Sequence, residues 1–268
     1  MTASAAAVQF GFVMPDEKRD KGAWTTCVTD LQAALHLISG HFDSAWMVDH
    51  LMFDDTDVLE GFTALTYMAA LHPDLHFGHT VLCQSFRNPA LLAKMAATLQ
   101  LMSGGRFTLG LGTGWHEAEY RAYGYDFPSS ADRVEQLEET LHIIKALWTQ
   151  ERATFTGKHY RIVDAQLRPK PDPLPNIMIG AFKPKMLRLT ARYADAWNVS
   201  STGIDEYRQL VSEFERACNE VGRDPASVRR SWVGGCACAA TQQQAEALTE
   251  GRWSADNPDD FGFVGTPE

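Results

Sequence analysis

The chain has 268 residues, of which 45% are hydrophobic, so it can bury the core of one large α/β domain or of two small ones. Its 34 acidic and 24 basic residues give a formal net charge of −10, which argues against nucleic acid or an anionic membrane as a partner, because both select a basic face. Residues 1–7 lack the basic and apolar regions of a signal peptide, and no later run reaches the length of a membrane span. We therefore expect a cytoplasmic protein.

Strands and helices are predicted in regular alternation. Apolar runs of strand length occur at residues 9–14, 44–50, 75–83, 107–111, 176–180, 196–200, 228–236 and 261–264. Apolar residues at helical spacing predict helices over residues 31–38, 59–68, 88–102, 132–148, 184–193, 204–221 and 242–249. Eight strands in this alternation predict a (β/α)8 TIM barrel, with a doubly wound open sheet as the alternative. No helix follows the eighth strand before Glu268, so the barrel would lack its final helix.

Capping residues place the starts of two helices. Asn88 followed by Pro89 supplies an N-cap and a helix-starting proline. Asp132 with Glu135 three residues later is typical of a capping box, so the fourth helix is predicted to begin at Asp132.

The alternation is interrupted at about residues 151–175. A run with a central glycine, residues 154–162, predicts a small hairpin, and the chain then returns to the core through four prolines: Pro169, Pro171, Pro173 and Pro175. We interpret this segment as an insertion over one face of a single domain that spans residues 1–268.

A glycine-rich turn ends the fourth predicted strand. Gly110, Gly112 and Gly114 leave one side of the strand exit without Cβ atoms, so backbone N–H groups there can approach a phosphate or a flat ring. The spacing differs from the dinucleotide-binding fingerprint, and no Gly-Lys-Ser/Thr follows, which excludes a P-loop. The turn therefore suits either a cofactor site or a simple tight connection.

Polar residues and glycines fall at the carboxyl ends of the predicted strands, where barrel enzymes build their sites. They occur at Asp49 and His50, Thr80 and Val81, Gly112 to Trp115, Gly180 and Ala181, and Ser200 and Ser201. His50 suits a site role, although it can also be a structural residue bonded to Asp49 or to a backbone carbonyl. His116 and Glu117 can face the site or solvent, and Arg133 can pair with glutamates of its helix or face a cofactor tail.

Cysteine and histidine patterns do not predict a metal site. The five cysteines are scattered, as expected of small apolar residues in a reducing compartment: Cys27, Cys83, Cys218, Cys236 and Cys238. Cys236 and Cys238 share one face of an extended run, where packing is favoured over redox chemistry. His72, His76 and His79 are close only along the sequence, because a proline and a strand separate their side chains.

The order of these segments resembles the bacterial-luciferase-like superfamily of flavin and deazaflavin oxidoreductases. The resemblance runs from Phe10 to Glu268 and is carried by residues 45–50, 78–81, 86–90, 97–106, 110–115, 119–120, 155–160, 192–198 and 262–268. Within the superfamily the pattern is most similar to members that use coenzyme F420, a deazaflavin that passes hydride and does not readily activate dioxygen.

The resemblance implies an oxidoreductase that transfers hydride between reduced coenzyme F420 and a small organic substrate. A two-component monooxygenase that uses reduced FMN and dioxygen is the nearest alternative, and a catalytically silent flavin-binding relative is another. The resemblance also implies a homodimer that pairs through the second and third helices, with Met68 and Leu92 among its contacts.

The same resemblance implies the site residues. His50 would approach the reacting centre and relay a proton, and Trp115 stands where F420-using sugar-phosphate dehydrogenases carry an acidic residue, so their acid–base pair is not implied here. His50 and Trp115 are our catalytic candidates, and the Thr80–Val81 peptide is expected to be a non-proline cis bond against the ring. The implied cofactor contacts are Asp49, Thr80, Val81, Gly112, Thr113, Gly114, Gly180, Ala181 and Phe182.

Overall fold

The computed structural model describes residues 8–15, 17–18, 24–53, 56–251 and 262–267. The chain divides into two compact units, Met1–Ile177 and Met178–Glu268, which are described separately. None of the described helices combines the length and the apolar character needed to cross a membrane.

Short strands and longer helices alternate in both units. The strands of the first unit are β1 (Gly11–Val13), β2 (Glu17–Lys18), β3 (Ser44–Met47), β4 (Asp57–Val58), β5 (His76–His79), β6 (Leu82–Cys83), β7 (Phe107–Gly112), β8 (Ala153–Thr156) and β9 (Arg161–Ala165). Its helices are α1 (Trp24–Ile38), α2 (Gly61–Leu71), α3 (Pro89–Met102), α4 (Glu117–Ala122) and α5 (Ser130–Thr149). After β10 (Asn176–Gly180), which crosses the boundary, come α6 (Pro184–Tyr193), β11 (Ala196–Ser200), α7 (Ile204–Glu220), β12 (Arg229–Val233), β13 (Gly235–Cys238), α8 (Gln242–Leu248) and β14 (Gly262–Gly265).

A parallel sheet forms the centre of the first unit. Its strands are ordered β1-β3-β5-β7, and β6 also pairs with β7. Trp46 of β3 lies beside Gly11 and Gly78 of the two neighbouring strands, and a Cβ atom on either glycine would overlap its indole ring. Phe77 and Phe107 are fully buried on the adjacent strands β5 and β7. The two glycines therefore allow one large side chain to cover three strands.

The helix starts agree with the capping residues at one position and differ at another. Helix α3 begins at Pro89 after the N-cap Asn88, as predicted. Helix α5 begins at Ser130, because the hydroxyl of Ser129 caps it by accepting a hydrogen bond from the backbone N–H of Asp132 at 3.2 Å. The predicted start at Asp132 is therefore wrong, since a serine outside the predicted helix supplies the cap.

The apolar stripes of α2 and α3 belong to the core of the first unit. Met68 and Leu92 are fully buried there. The expectation that these two residues contact a second subunit is therefore wrong, because their packing partners lie within the same chain. The same helices do expose other large apolar side chains: Tyr67, Leu71, Leu91 and Met102.

The segment over residues 151–175 contains an antiparallel hairpin of β8 and β9. Three backbone N–H groups of the hairpin turn donate hydrogen bonds to the carboxylate of Glu139 on α5. They belong to Lys158, His159 and Tyr160, at 2.6, 3.0 and 2.8 Å. Charge-assisted bonds of this kind are stronger than neutral ones, so they fix the turn to the helix.

The second unit contains two groups of parallel strands. Strands β10, β11 and β12 are adjacent, and β13 and β14 form a separate pair. Trp197 of β11 is fully buried and stacks on Phe214 of α7, with ring centroids 4.6 Å apart. The predicted strand 228–236 is in fact two strands, interrupted at Gly234, where the ring of Trp232 occupies the position of a Cβ atom. The predicted bounds of β10, α6 and β11 are confirmed.

Candidate active site

Three neighbouring parallel strands of the first unit end at one edge of their sheet. Strand β3 leads into His50, β5 into Thr80 and Val81, and β7 into the turn at residues 113–115. Four side chains there are half-buried and so remain partly accessible: His50, Thr80, Val81 and Thr113. The structure therefore brings together the first-unit residues that the sequence places at a common rim.

The Thr80–Val81 peptide is a non-proline cis bond, as the resemblance implies. The N–H of Thr80 donates to the carbonyl of Met47 at 2.7 Å and so ties this segment to β3. Val81 fills the space beside Gly112, because a Cβ atom on that glycine would lie 2.7 Å from the Val81 Cγ2. The missing side chain at Gly112 is what allows the two strand ends to approach each other.

Gly114 has φ +72°, in the left-handed region that glycine adopts without steric cost. A Cβ atom there would overlap the hydroxyl of Tyr120 and lie 2.6 Å from the Cys83 Sγ. That hydroxyl is 2.8 Å from the same Sγ and donates to the carbonyl of Thr113 at 3.1 Å. Burial raises the pKa of Cys83 to about 11, so its thiol stays protonated in this contact. The turn thus requires glycine for its own conformation and for the close approach of Tyr120.

Glu119 is buried on α4, and its carboxylate faces His50. The two carboxylate oxygens lie 3.2 and 3.3 Å from the Nδ1 of His50, and one of them accepts a hydrogen bond from the N–H of Leu51 at 3.0 Å. A carboxylate only accepts hydrogen bonds, so this contact assigns the imidazole hydrogen to Nδ1. Nε2 is therefore the ring nitrogen of His50 that these contacts with Glu119 do not use.

Sequence reasoning considered Asp49 as the partner of His50 and missed Glu119. Glu119 lies two residues after Glu117, which is exposed and pairs with Arg121. Two glutamates on one short polar helix look alike in the sequence. The buried Tyr120 beside Glu119 is the one signal that this side of α4 faces inward.

Trp115 lies on the turn after β7, with 66% of its surface accessible. Its indole stacks on His116 with centroids 5.1 Å apart and meets the His50 ring edge-on at 6.0 Å. Phe53, which the sequence did not single out, lies 4.9 Å from the His50 ring and 6.1 Å from the indole, again between centroids. Three rings therefore adjoin the imidazole of His50.

Asp49 is buried, and both of its carboxylate oxygens are engaged. Arg87 donates to them at 2.7 and 2.8 Å, and the N–H of Cys83 donates to one at 2.9 Å. Arg87 also pairs with Glu60, the N-cap residue of α2. Although burial alone lowers the pKa of the Arg87 guanidinium, its bonds to Asp49 raise it above its ordinary value. This network fixes the residue before His50, and a cofactor contact of Asp49 stays a prediction.

The network also holds Glu60 in its charged form. Burial alone raises the pKa of Glu60, but hydrogen bonds from Thr63 and the nearby charge of Arg87 outweigh it and lower this pKa to about 2. Arg87 thus joins one carboxylate at the end of β3 to another at the start of α2.

Arg133 and Glu117 have local partners. The guanidinium of Arg133 lies over the ring of Phe127, 4.1 Å from its centroid, and donates to the carbonyl of Pro128 at 2.6 Å. Glu117 accepts a hydrogen bond from the Nε of Arg121 at 2.8 Å. Both residues therefore act in local packing and surface pairing.

Two groups of possible metal ligands occur among the described residues, each with donor atoms within 4.8 Å of one another. They are His50, His116 and Glu119, and Asp132, Glu135 and His159. In the second group the ammonium of Lys158 already bonds both carboxylates at 2.8 Å. The three sequence-adjacent histidines considered above are in neither group, and the absence of a bound metal stays a prediction.

The second unit carries Gly180, Ala181 and Phe182 at the end of β10. Ala181 is buried, its N–H donates to the carbonyl of Asn198 at 3.1 Å, and its carbonyl accepts from the Nε1 of Trp197 at 2.9 Å. The Ala181 backbone is therefore used within this unit, while Phe182 beside it is partly exposed. Cofactor contacts at these three residues stay predictions.

Two curated relatives match most of the chain. The F420-dependent glucose-6-phosphate dehydrogenase of Kineococcus radiotolerans is 31% identical over 195 residues, which are 70% of this chain and 58% of that protein. The F420-dependent hydroxymycolic acid dehydrogenase of Mycobacterium tuberculosis is 30% identical over 226 residues, which are 81% of this chain and 62% of that protein. The chain thus spans about three fifths of the length of these relatives, from 58% to 62%.

The fold is also that of a solved structure. An F420-dependent secondary alcohol dehydrogenase in complex with an F420-acetone adduct has a TM-score of 0.80 and 21% identity, over 96% of this chain and 78% of that one. This likeness confirms the predicted fold class, a barrel of the luciferase-like type. The family model described as luciferase-like monooxygenase matches residues 34–261. The chain therefore belongs to the luciferase-like monooxygenase family.

Proposed function

We propose that the protein is an oxidoreductase that transfers hydride between reduced coenzyme F420 and a small organic substrate. The observation that carries the proposal is that both relatives described above, at 30% and 31% identity, are named as F420-dependent dehydrogenases. A monooxygenase that uses reduced FMN and dioxygen is the second candidate, favoured by the name of the family.

The strand ends of the first unit support the proposal of a flat cofactor. Val81 and Tyr120 occupy the positions where side chains of Gly112 and Gly114 would lie, and Thr113 between the two glycines is half-buried. Val81 packs against Gly112, and the exposed indole of Trp115 continues the apolar surface beyond the turn. An apolar surface and an imidazole at one sheet edge are groups that the reactive ring of a deazaflavin would contact.

His50 is proposed to move the proton that accompanies hydride transfer. The bound deazaflavin supplies or accepts the hydride. When a carbonyl substrate receives hydride, its oxygen also needs one proton. The doubly protonated imidazolium of His50 would give this proton from Nε2 and keep the proton on Nδ1, which faces Glu119. Glu119 orients the imidazole, while Trp115 and Phe53 limit the access of water.

Binding and turnover measurements test this function. We expect F420 to bind at least about tenfold more tightly than FMN in a fluorescence titration, a difference of about 1.4 kcal/mol. Reduced F420 should then be oxidised by a member of a panel of ketones and aldehydes, without dioxygen uptake in an oxygen electrode. Tighter binding of FMN together with dioxygen consumption would reverse the choice of cofactor. Binding without turnover across the panel would favour a catalytically silent relative.

We also propose a homodimer through α2 and α3, supported by the resemblance and by the apolar side chains that these helices expose. Leu91→Glu with Met102→Glu should shift the protein from dimer to monomer in sedimentation velocity, because charged side chains are disfavoured in an interface core. Leu248→Glu, on an exposed position of α8, is the matched control and should leave the mass unchanged. A wild-type protein that stays monomeric at high concentration would contradict the dimer.

A further inference from the structure

Two thiols share the exposed face of β13. Cys236 and Cys238 are both exposed, whereas Ala237 between them is buried. Because side chains alternate along a strand, the two cysteines point the same way and Ala237 points into the second unit. The two side chains share one face, as predicted, but the prediction that this face is packed is wrong, because both cysteines are exposed.

The partner strand leaves these thiols accessible. In the parallel register of β13 with β14, Phe263 pairs with Cys236, and Gly265 pairs with Cys238. The ring of Phe263 is 69% exposed, and the nearest atom to a Cβ built on Gly265 is the Oε1 of Gln242 at 3.9 Å. This face thus carries two thiols beside an apolar ring and a position without a side chain.

The spacing of the thiols suits a bridging atom better than a disulfide. Residues i and i+2 of a strand are about 6.6 Å apart, while a disulfide needs Cβ atoms about 3.5–4.5 Å apart. A single atom bonded to both sulfurs allows them to lie farther apart than in a disulfide, because each of its bonds is about 2.3 Å long, the length of a zinc–cysteine bond. Thiolates are soft ligands and select soft ions.

We propose that Cys236 and Cys238 form a chelating dithiol site for soft, thiophilic ions and metalloids, represented by trivalent arsenic. Each thiol replaces one hydroxyl group of a hydrated trivalent arsenical: one As–S bond forms, one As–O bond breaks, and the thiol proton leaves with the hydroxyl as water. Two such steps close a ring through both sulfurs, and no electrons are exchanged. The proposal uses none of the residues of the candidate active site, so it does not depend on the proposed function.

Phenylarsine oxide is the probe, and native mass spectrometry of the full chain measures its binding. We expect one arsenical per chain, retained against a competing monothiol such as glutathione. The measured quantity is the glutathione concentration at which half of the arsenical is removed. We expect Cys236→Ser and Cys238→Ser each to lower this concentration about 100-fold, because each variant loses the second As–S bond, which forms at the high effective concentration of a linked thiol. Serine keeps the shape of these exposed side chains, and a thermal melt of each variant checks that the fold is retained.

Cys218→Ala is the matched control, because Cys218 is fully buried and its loss should leave retention unchanged. Cys27→Ser tests in the same way whether the thiol near the N-terminus contributes. The proposal is overturned if the wild type binds no arsenical, or if Cys236→Ser or Cys238→Ser retains it as well as the wild type does. Loss of retention in Cys218→Ala or in Cys27→Ser would also overturn it.

Discussion

Replacing His50 with asparagine is expected to lower kcat for hydride transfer by about 10²- to 10⁴-fold, the usual contribution of a general acid or base. Asparagine keeps a polar group facing Glu119 but does not exchange a proton at the position of Nε2. KM should change little, because the residue is proposed to act on charge that develops in the transition state. Steady-state kinetics with reduced F420, over a range of substrate concentrations, measure both constants.

Two further variants separate chemistry from folding. Glu119→Gln keeps the buried shape but removes the charge that faces the imidazole, so a loss of roughly tenfold in kcat is expected for one charge-assisted hydrogen bond. His36→Asn, at an exposed position of α1, should behave as wild type. Equal turnover by the wild type and the His50 variant would remove His50 from the mechanism, even if F420 still bound.

Replacing Arg87 with methionine is expected to lower the free energy of unfolding by about 3–5 kcal/mol, the range for removing one partner of a buried ion pair. The guanidinium donates two hydrogen bonds to Asp49, whose side chain is fully buried, and also pairs with Glu60. Methionine fills much of the same volume but leaves the Asp49 carboxylate without its cation. Urea unfolding followed by circular dichroism measures the change.

The same substitution at an exposed ion pair is the control. Arg121 and Glu117 are 71% and 50% exposed in their side chains, so Arg121→Met should cost less than about 1 kcal/mol. Adding Asp49→Asn to the Arg87 variant should restore part of the lost stability, because a neutral amide has a smaller desolvation penalty than a carboxylate. Equal urea midpoints for the Arg87 and Arg121 variants would contradict a stabilising role for the buried network.

The predicted bounds of strands and helices agree with the structure where a glycine or a proline marks the end or the start of the element. Strand β10 ends at Gly180, and α6 begins at Pro184, as the pattern predicts. Helix α4 was missed, because six mostly polar residues are too few to form an apolar stripe. Ser129 was missed as a cap, since the periodic apolar residues of α5 begin only after it.

The sequence predicts those residues of the candidate site that lie at the ends of strands. His50 and Trp115 stand at the ends of apolar runs, and parallel strands bring such ends to one edge. Glu119, Phe53 and Arg87 were not predicted, because each reaches the site through a tertiary contact that no local pattern encodes. The cis bond after β5 came from the family resemblance alone.

The indole of Trp46 occupies the volume that side chains at Gly11 and Gly78 would need. A residue larger than glycine at either position is incompatible with this ring. A smaller residue at position 46 would remove the three nearest contacts at Gly78, whereas at Gly11 the Oγ of Ser44, 2.8 Å from the same Cβ position, would also have to move. The three positions therefore behave as one unit in the evolution of the chain. A smaller side chain at position 46 must therefore be accepted before a larger one at position 11 or 78. The order of the mutations, and not only their combination, is constrained.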